Sequence, residues 1–365
     1  MKHLWPKTPR GRIALGLLAM LVLPYVFSRI TSPWRYVVVY STVSASAPVS
    51  AVREYIRVGC YNIAHGRGVV ESNWAGGDVR ERSVRLDEIA ALLRQNDADV
   101  VVLNEVDFDC SWSHSVDQAR YLADKAGYAY CAEQRNIDFR VLFWKWKFGN
   151  AVLSKYPITD VRVIHLPGIS RVESILGGKK RAIVCEIAAP GKSIQVIGTH
   201  LSHQSEAVRV GSARMLLNIA KGNDRPTILA GDLNSTPTGF PACELDANGQ
   251  NAMQTFDDSE CFQRYRPILP LPTEDLTFHS VTPRMIIDWI LIPANWRYLQ
   301  YRTEASALSD HRPVFCDVGA SARQTCRQHQ LLNNAFSTIH GPDTKDAKSN
   351  SQRLSLLQPS GGHNP

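Results

Sequence analysis

Residues 98–103 read ADVVVL, and this short run, apolar apart from Asp99, restricts the fold more than any other segment. An apolar run of that length, without polar alternation, suits a strand covered on both faces. Such strands belong inside layered α/β sheets, which need helices or a second sheet on each side. Glu105 follows two residues later. A carboxylate at the mouth of a buried strand costs desolvation unless a partner compensates it. The segment therefore marks both a core strand and a candidate site.

The flanking sequence repeats the alternation. Strands are expected at 55–63, 149–154, 181–188, 193–199, 227–230, 285–291 and 313–318. Amphipathic helices are expected at 79–95, 116–126 and 205–220; in the first, Val84, Ile89, Ala90 and Leu93 recur at helical spacing. No period of 20–50 residues appears, which excludes a repeat architecture.

The two ends differ from this middle. Residues 1–30 carry a net charge of +5 and enclose the apolar run IALGLLAMLVLPYVF at 13–27. Basic residues before an apolar run mark an amino-terminal membrane signal, read as an uncleaved anchor with a cleaved signal as the rival. The charge bias places the remainder outside the cytoplasm, either membrane-anchored or secreted. Residues 31–52 read as a linker, 53–319 as the catalytic domain and 320–365 as a polar, disordered tail. The tail adds +3, so the middle is near −1 although the whole chain is +7. A nonspecific duplex-binding protein needs a clearly basic domain, so nucleic acid is possible but not favoured.

None of the eight cysteines forms a CxxC pair, which argues against a zinc site. Cys60, Cys185 and Cys316 fall in apolar runs and read as buried thiols. Cys110, Cys131, Cys243 and Cys261 fall in loop-like surroundings, where export would permit disulfides.

Polar residues end one expected strand after another: Asn62, Glu105, His200, then Asp232 and Asn234, then Asp288 and the pair Asp310-His311. Carboxylate and carboxamide oxygens suit a hard cation such as Mg²⁺. Histidines beside them can hold a phosphate or move protons. Each piece alone is an ordinary turn, cap or core residue. Their joint order is not.

That ordered set resembles the endonuclease/exonuclease/phosphatase superfamily. The resemblance rests on CYNIAHG (60–66), DVVVLNEVD (99–107), GNAVLSKYP (149–157), GTHLSH (198–203), LAGDLNSTP (229–237), IDWILI (287–292) and LSDHRPV (308–314). It implies an α/β four-layer sandwich of two β-sheets flanked by helices. It also implies a Mg²⁺-dependent hydrolase of phosphoester bonds, with Mn²⁺ as an alternative cofactor. Glu105 would be the principal metal ligand, assisted by Asn62, with Asp310 nearby. Asp232 would orient or deprotonate the attacking water, and Asn234 would hold the water or a phosphate oxygen. His200 and His311 would act as imidazolium-type donors to the phosphoryl oxygens, and Asp288 would orient His311. Asn104 stands where many members carry Gln, which implies altered packing behind the metal. The phosphate-contacting Tyr of the nucleases has no clear match.

Three substrate readings follow: a phosphodiesterase or phosphatase acting on a lipid head group, a tethered or secreted endonuclease, and a silent binding module. Residues 143–148 (FWKWKF) interleave aromatic and basic side chains. They suit an ordinary hairpin, a membrane interface or base stacking. Arg67, Arg135, Arg140, Arg171, Lys179 and Lys180 are candidates to frame an anionic substrate.

Overall fold

A computed structural model describes residues 8–31, 36–41, 54–141, 143–170, 178–267 and 271–320. Two sheets face each other. The first is ordered β1 (Val37–Ser41), β4 (Tyr130–Val141), β5 (Trp144–Ser154), β3 (Val100–Asp107), β2 (Ile56–Asn62), β13 (Val314–Ala320) and β12 (Trp296–Thr303). The second runs β10 (Phe262–Gln263), β11 (Asp288–Pro293), β9 (Thr227–Asp232), β8 (Lys192–His200), β7 (Arg181–Ala189) and β6 (Ile158–His165).

Strand alternation builds the layers. Val100 and Val102 point between the sheets, where they meet Ile183, Val196, Ile228 and Ile290. Val101 and Leu103 point the other way, onto Leu86, Ile89 and Leu93 of α2 (Val79–Asn96) and Leu122 of α3 (Gln118–Ala126). Leu229, Trp289 and Leu291 on the second sheet meet Val210, Ala213 and Leu216 of α4 (Glu206–Lys221) and Phe256 of α5 (Ala252–Asp257). The order helix, sheet, sheet, helix is the sandwich that the resemblance implies. Asp78 and Glu81 close a capping box on α2, an arrangement worth about 1 kcal/mol.

Several expectations are corrected. The linker expected at 31–52 contains β1, which pairs antiparallel with β4 from Val37↔Gln134 to Ser41↔Tyr130. Cys131 lies in β4 rather than a loop, Cys110 is buried, and all seven described cysteines are free thiols. Cys326 and the tail at 321–365 lie outside the described residues. At the amino end, the apolar run lies within α1 (Pro9–Thr31), a helix of 23 residues. Its stretch Pro9–Ile30 is long and apolar enough to cross a membrane by length and composition, and is almost wholly exposed.

Candidate functional site

Strand register assembles the site. In the first sheet, β2 and β3 run parallel with Asn62 beside Asn104. In the second, β8 and β9 run parallel with His200 beside Asp232, and β11 sets Asp288 opposite Asp232. The strand ends of both sheets thus meet at one edge, where ligands gather in layered α/β proteins.

Glu105 sits where the pairing of β3 with β5 shifts register, between Leu103 and Val106. Its φ of +50° is left-handed, uncommon for a residue with a side chain. The shift lifts the carboxylate out of the strand's in-and-out alternation into the site, a usual effect of a bulge.

Asn62 Nδ2 lies 3.4 Å from Glu105 Oε1 and 3.1 Å from Asp232 Oδ2. Its Oδ1 accepts the Ala64 N–H at 3.0 Å, which fixes the amide's orientation. Asn62, expected as a second metal ligand, therefore presents its nitrogen and acts as a donor to both carboxylates. Asp310, by contrast, shares a cation with Glu105. Arg67 donates to Glu105 Oε2 at 3.2 Å and to Asp310 Oδ2 at 2.7 Å.

His311 Nδ1 lies 2.8 Å from Asp288 Oδ2, and its Nε2 lies 3.7 Å from Asp232 Oδ2. Burial alone would lower the His311 pKa, but Asp288 and Asp232 overcome it and push it up to about 10. His200 Nε2 is 3.5 Å from Asp232 Oδ2. Burial, reinforced by the charge of Lys180, holds its pKa well below the usual histidine range. Only one of the two imidazoles is therefore cationic at neutral pH; His200 is a neutral donor. Burial lifts the Asp232 carboxyl to about 7 against the pull of His311, with Asp288 adding to the rise. Glu105 stays ionised: burial opposes this, but the cationic neighbours His65, Arg67 and His311 prevail.

The GDLN segment forms an Asx turn. Asn234 N–H donates to Asp232 Oδ1 at 3.0 Å, and Asn234 Nδ2 donates to the Leu201 carbonyl at 3.3 Å. In the SDH turn, Ser309 Oγ donates to the Asn62 carbonyl at 2.7 Å and so ties the last turn to β2.

Asn104, the departure noted in the sequence, bridges the sheets. Its Oδ1 accepts the Asp232 N–H at 2.8 Å, and its Nδ2 donates to Asn150 Oδ1 at 2.8 Å and to the Thr199 carbonyl at 3.1 Å. Removing this buried amide strands several polar groups, each at about 1–3 kcal/mol. Asn104→Ala is expected to lower unfolding free energy by about 3 kcal/mol, read from urea midpoints. A loss below about 0.5 kcal/mol would show that the bridge carries little.

Two site residues, His65 and Asp107, are not singled out in the sequence, whereas Arg67 is expected there only to frame an anionic substrate. His65 Nδ1 lies 2.7 Å from Asp107 Oδ1 and its Nε2 lies 3.4 Å from Glu105 Oε2. Asp107 also accepts from Trp112 Nε1 at 2.7 Å. Arg67 completes the group. The signal for His65 was the AHG of the CYNIAHG segment, whose partners lie some 40 residues downstream (42 to Asp107).

Among the described residues, two groupings offer ligand atoms for a cation. Ligand atoms of Asp232, Asp288 and His311 lie within 4.8 Å of one another. There, however, the His311–Asp288 hydrogen bond already occupies Nδ1 and Oδ2. The second grouping, Glu105 with Asp310, offers carboxylate oxygens, the donors a hard cation prefers. Its side chains are 24% and 14% exposed, and the Arg67 guanidinium already stands between them as a cation.

The model of the Endonuclease/Exonuclease/phosphatase family matches residues 59–311. Among solved structures, an endonuclease/exonuclease/phosphatase from Beutenbergia cavernae is similar with 23% identity and TM-score 0.55, over 74% of this chain and 72% of that one. The mannosyl-6-phosphatase of Bacteroides thetaiotaomicron aligns with 16% identity and TM-score 0.53, over 72% of this chain and 99% of its own. The human Nocturnin catalytic domain with bound sulfate aligns with 18% identity and TM-score 0.53, over 78% and 98%. No curated protein matches the sequence.

Proposed function

The chain belongs to the endonuclease/exonuclease/phosphatase family and is a phosphoester hydrolase; from that premise we propose a Mg²⁺-dependent phosphodiesterase or phosphatase, tethered by α1, that acts on the phosphoester of a lipid head group. Mn²⁺ is the alternative ion. The observation that carries the mechanism is the convergence of Glu105, Asn62, Asp232 and the His311–Asp288 pair at one edge. We read residues 53–319, with β1, as the catalytic domain and place it outside the cytoplasm.

Glu105 and Asp310 would hold the ion, with Asn62 behind them. A divalent cation there supplies positive charge to the phosphoryl oxygens and adds Lewis acidity. The protein's own groups do the rest. Asp232 takes a proton from the attacking water, and its raised pKa makes it a better base near neutrality. Asn234 holds the water or a phosphate oxygen. His311, kept cationic by Asp288, hydrogen-bonds a phosphoryl oxygen where charge builds, and neutral His200 donates a second hydrogen bond.

The pKa directions set a pH profile. Asp232 must be ionised to accept a proton, so turnover rises with pH through about 7. His311 must be protonated to donate, so turnover falls as pH passes about 10. A rate that is flat from pH 6 to 9 would contradict these assignments.

The test uses the full chain in detergent with a chromogenic phosphodiester, a phosphomonoester, plasmid DNA and labelled phospholipid. EDTA-sensitive hydrolysis restored by Mg²⁺ is expected, with phospholipid cut faster than DNA. No EDTA-sensitive hydrolysis of any substrate would favour a binding module. The endonuclease reading is supported by the stacked rings Trp112–Trp146 and Phe139–Trp146, with centroids 6.4 Å and 5.4 Å apart, since stacked aromatics suit bases. The near-neutral middle of the chain opposes it.

A further inference from the structure

The β4–β5 hairpin outruns its sheet. β3 pairs with β5 only as far as Asp107↔Phe148, and β1 pairs with β4 only as far as Val37↔Gln134. Beyond those points β4 and β5 continue as a pair to Val141↔Trp144. The four residues from Lys147 to Trp144 carry the pair about 14 Å past the sheet. The 108–115 segment borders this arm: Phe108 N–H donates to the Lys147 carbonyl, Ser111 Oγ donates to the Phe143 carbonyl, and Lys145 Nζ donates to Ser115 Oγ.

The arm is stiffened inside and apolar at its tip. Trp146 stacks on Phe139 and on Trp112. At the end, Phe143 is 72% exposed and Trp144 51% exposed, their rings edge to face at 5.5 Å. Both large aromatics are thus more than half exposed on a braced hairpin. Arg140, Lys145 and Lys147 lie just behind them, and both lysines share the single carboxylate of Asp109, so the tip stays cationic. Aromatic rings backed by cationic side chains match the interface of a lipid bilayer.

Position names that bilayer. The Tyr36 carbonyl accepts from the Arg135 N–H, so the chain joins β1 at the end of β4 from which the arm projects. Four residues separate Tyr36 from Thr31, the last of α1, a span of at most about 18 Å. α1 contacts β4, and Ser28 near its end is buried while the other described residues of the helix are half-buried or exposed. The site opens on the same edge, because Asp107, which holds His65 beside Glu105, pairs with Phe148 at the root of the arm. Trp74, 64% exposed, packs edge-on against Trp112 on this rim.

We propose that the tip of the β4–β5 hairpin, Phe143 and Trp144, inserts into the head-group layer of the membrane that holds α1 and turns the site mouth toward lipid-borne phosphoesters. The inference rests on the phosphoester-hydrolase reading for its substrate, but not for the contact itself. Three elements then bind one surface: the anchor sets the distance, the arm sets the tilt, and the site faces down.

The full chain in nanodiscs tests it in two independent ways. The first readout is tryptophan emission in nanodiscs with brominated acyl chains. Trp144→Phe, which keeps an aromatic tip but removes one reporter, is expected to lower the quenched fraction relative to wild type. An unchanged quenched fraction overturns the contact. The second readout is hydrolysis. The double variant Phe143→Ser/Trp144→Ser is expected to cut nanodisc-borne phospholipid about tenfold more slowly and a soluble phosphodiester at the wild-type rate. Equal rates for variant and wild type on both substrates, or equal loss on both, overturn the orienting role. If the wild type cuts neither substrate, the hydrolase reading fails, and the quenching result still decides the membrane contact.

Discussion

His311→Ala lowers kcat by about 10³-fold with little change in KM, because the lost donor acts where charge builds on the phosphoryl oxygens. The competing explanation is misfolding. The Asp288 side chain is fully buried, and its Oδ2 is held by His311. Truncating the imidazole leaves that carboxylate unpaired, at about 3–5 kcal/mol if it stays ionised. The variant could thus lose activity by unfolding. Asp288→Asn/His311→Ala removes the stranded charge along with the histidine. It is expected to recover most of the stability while staying as inactive as the single variant. Urea midpoints with single-turnover rates separate the effects. Wild-type-like turnover in a folded His311→Ala protein would sink the assignment of His311 to the phosphoryl group.

The strand ends were legible because buried strands announce themselves through apolar runs, and a polar residue at such an end stands out. Glu105 and Asp232 follow that rule, whereas Asp288 lies inside the expected run 285–291 and begins the observed strand. β4 did not announce itself. Its residues Glu133, Gln134, Asn136 and Asp138 are buried and polar, which breaks the apolar alternation a strand is read by. Some of them serve an amide relay: Gln134 Nε2 donates to Asn136 Oδ1, and Asn150 Nδ2 donates to Gln134 Oε1. β1 was hidden for a different reason: five residues at a sheet edge carry too little pattern to separate them from a linker. β6 and β12, with solvated faces, hid likewise. In the site, His65 escaped notice because it lies on a short turn whose partner Asp107 is 42 residues on, and Arg67, expected to frame a substrate, pairs instead with carboxylates 38 residues on at Glu105 and 243 on at Asp310. Sequence spacing shows which residues share a strand. It does not show which side chains cross between strands, nor that Asn62 would turn its nitrogen rather than its oxygen inward.

Gly231→Ala is expected to be among the most damaging single-methyl changes in the molecule, although Gly231 performs no chemistry. A Cβ there would lie 1.8 Å from the Thr199 carbonyl oxygen and 3.2 Å from Asn104 Oδ1. The backbone φ of +148° is one that residues with side chains rarely adopt. The obstacle is backbone of the adjacent parallel strand, since Thr199 and Gly231 are register partners in β8 and β9. No rotamer change relieves that contact, so the strands must separate. His200 and Asp232 are the next pair in the same register, so separation also pulls the neutral donor from the base. The expected loss exceeds about 4 kcal/mol, the range reserved for core disruption. Gly191 supplies the comparison: its φ is also positive, at +72°, but nothing lies within 4 Å of a Cβ there. Gly191→Ala should cost only the local backbone strain, about 1 kcal/mol. Denaturant midpoints of the two variants would separate strain from steric overlap. If Gly231→Ala proves as mild as Gly191→Ala, the close approach of β8 and β9 is not what demands glycine at the head of the GDLN turn.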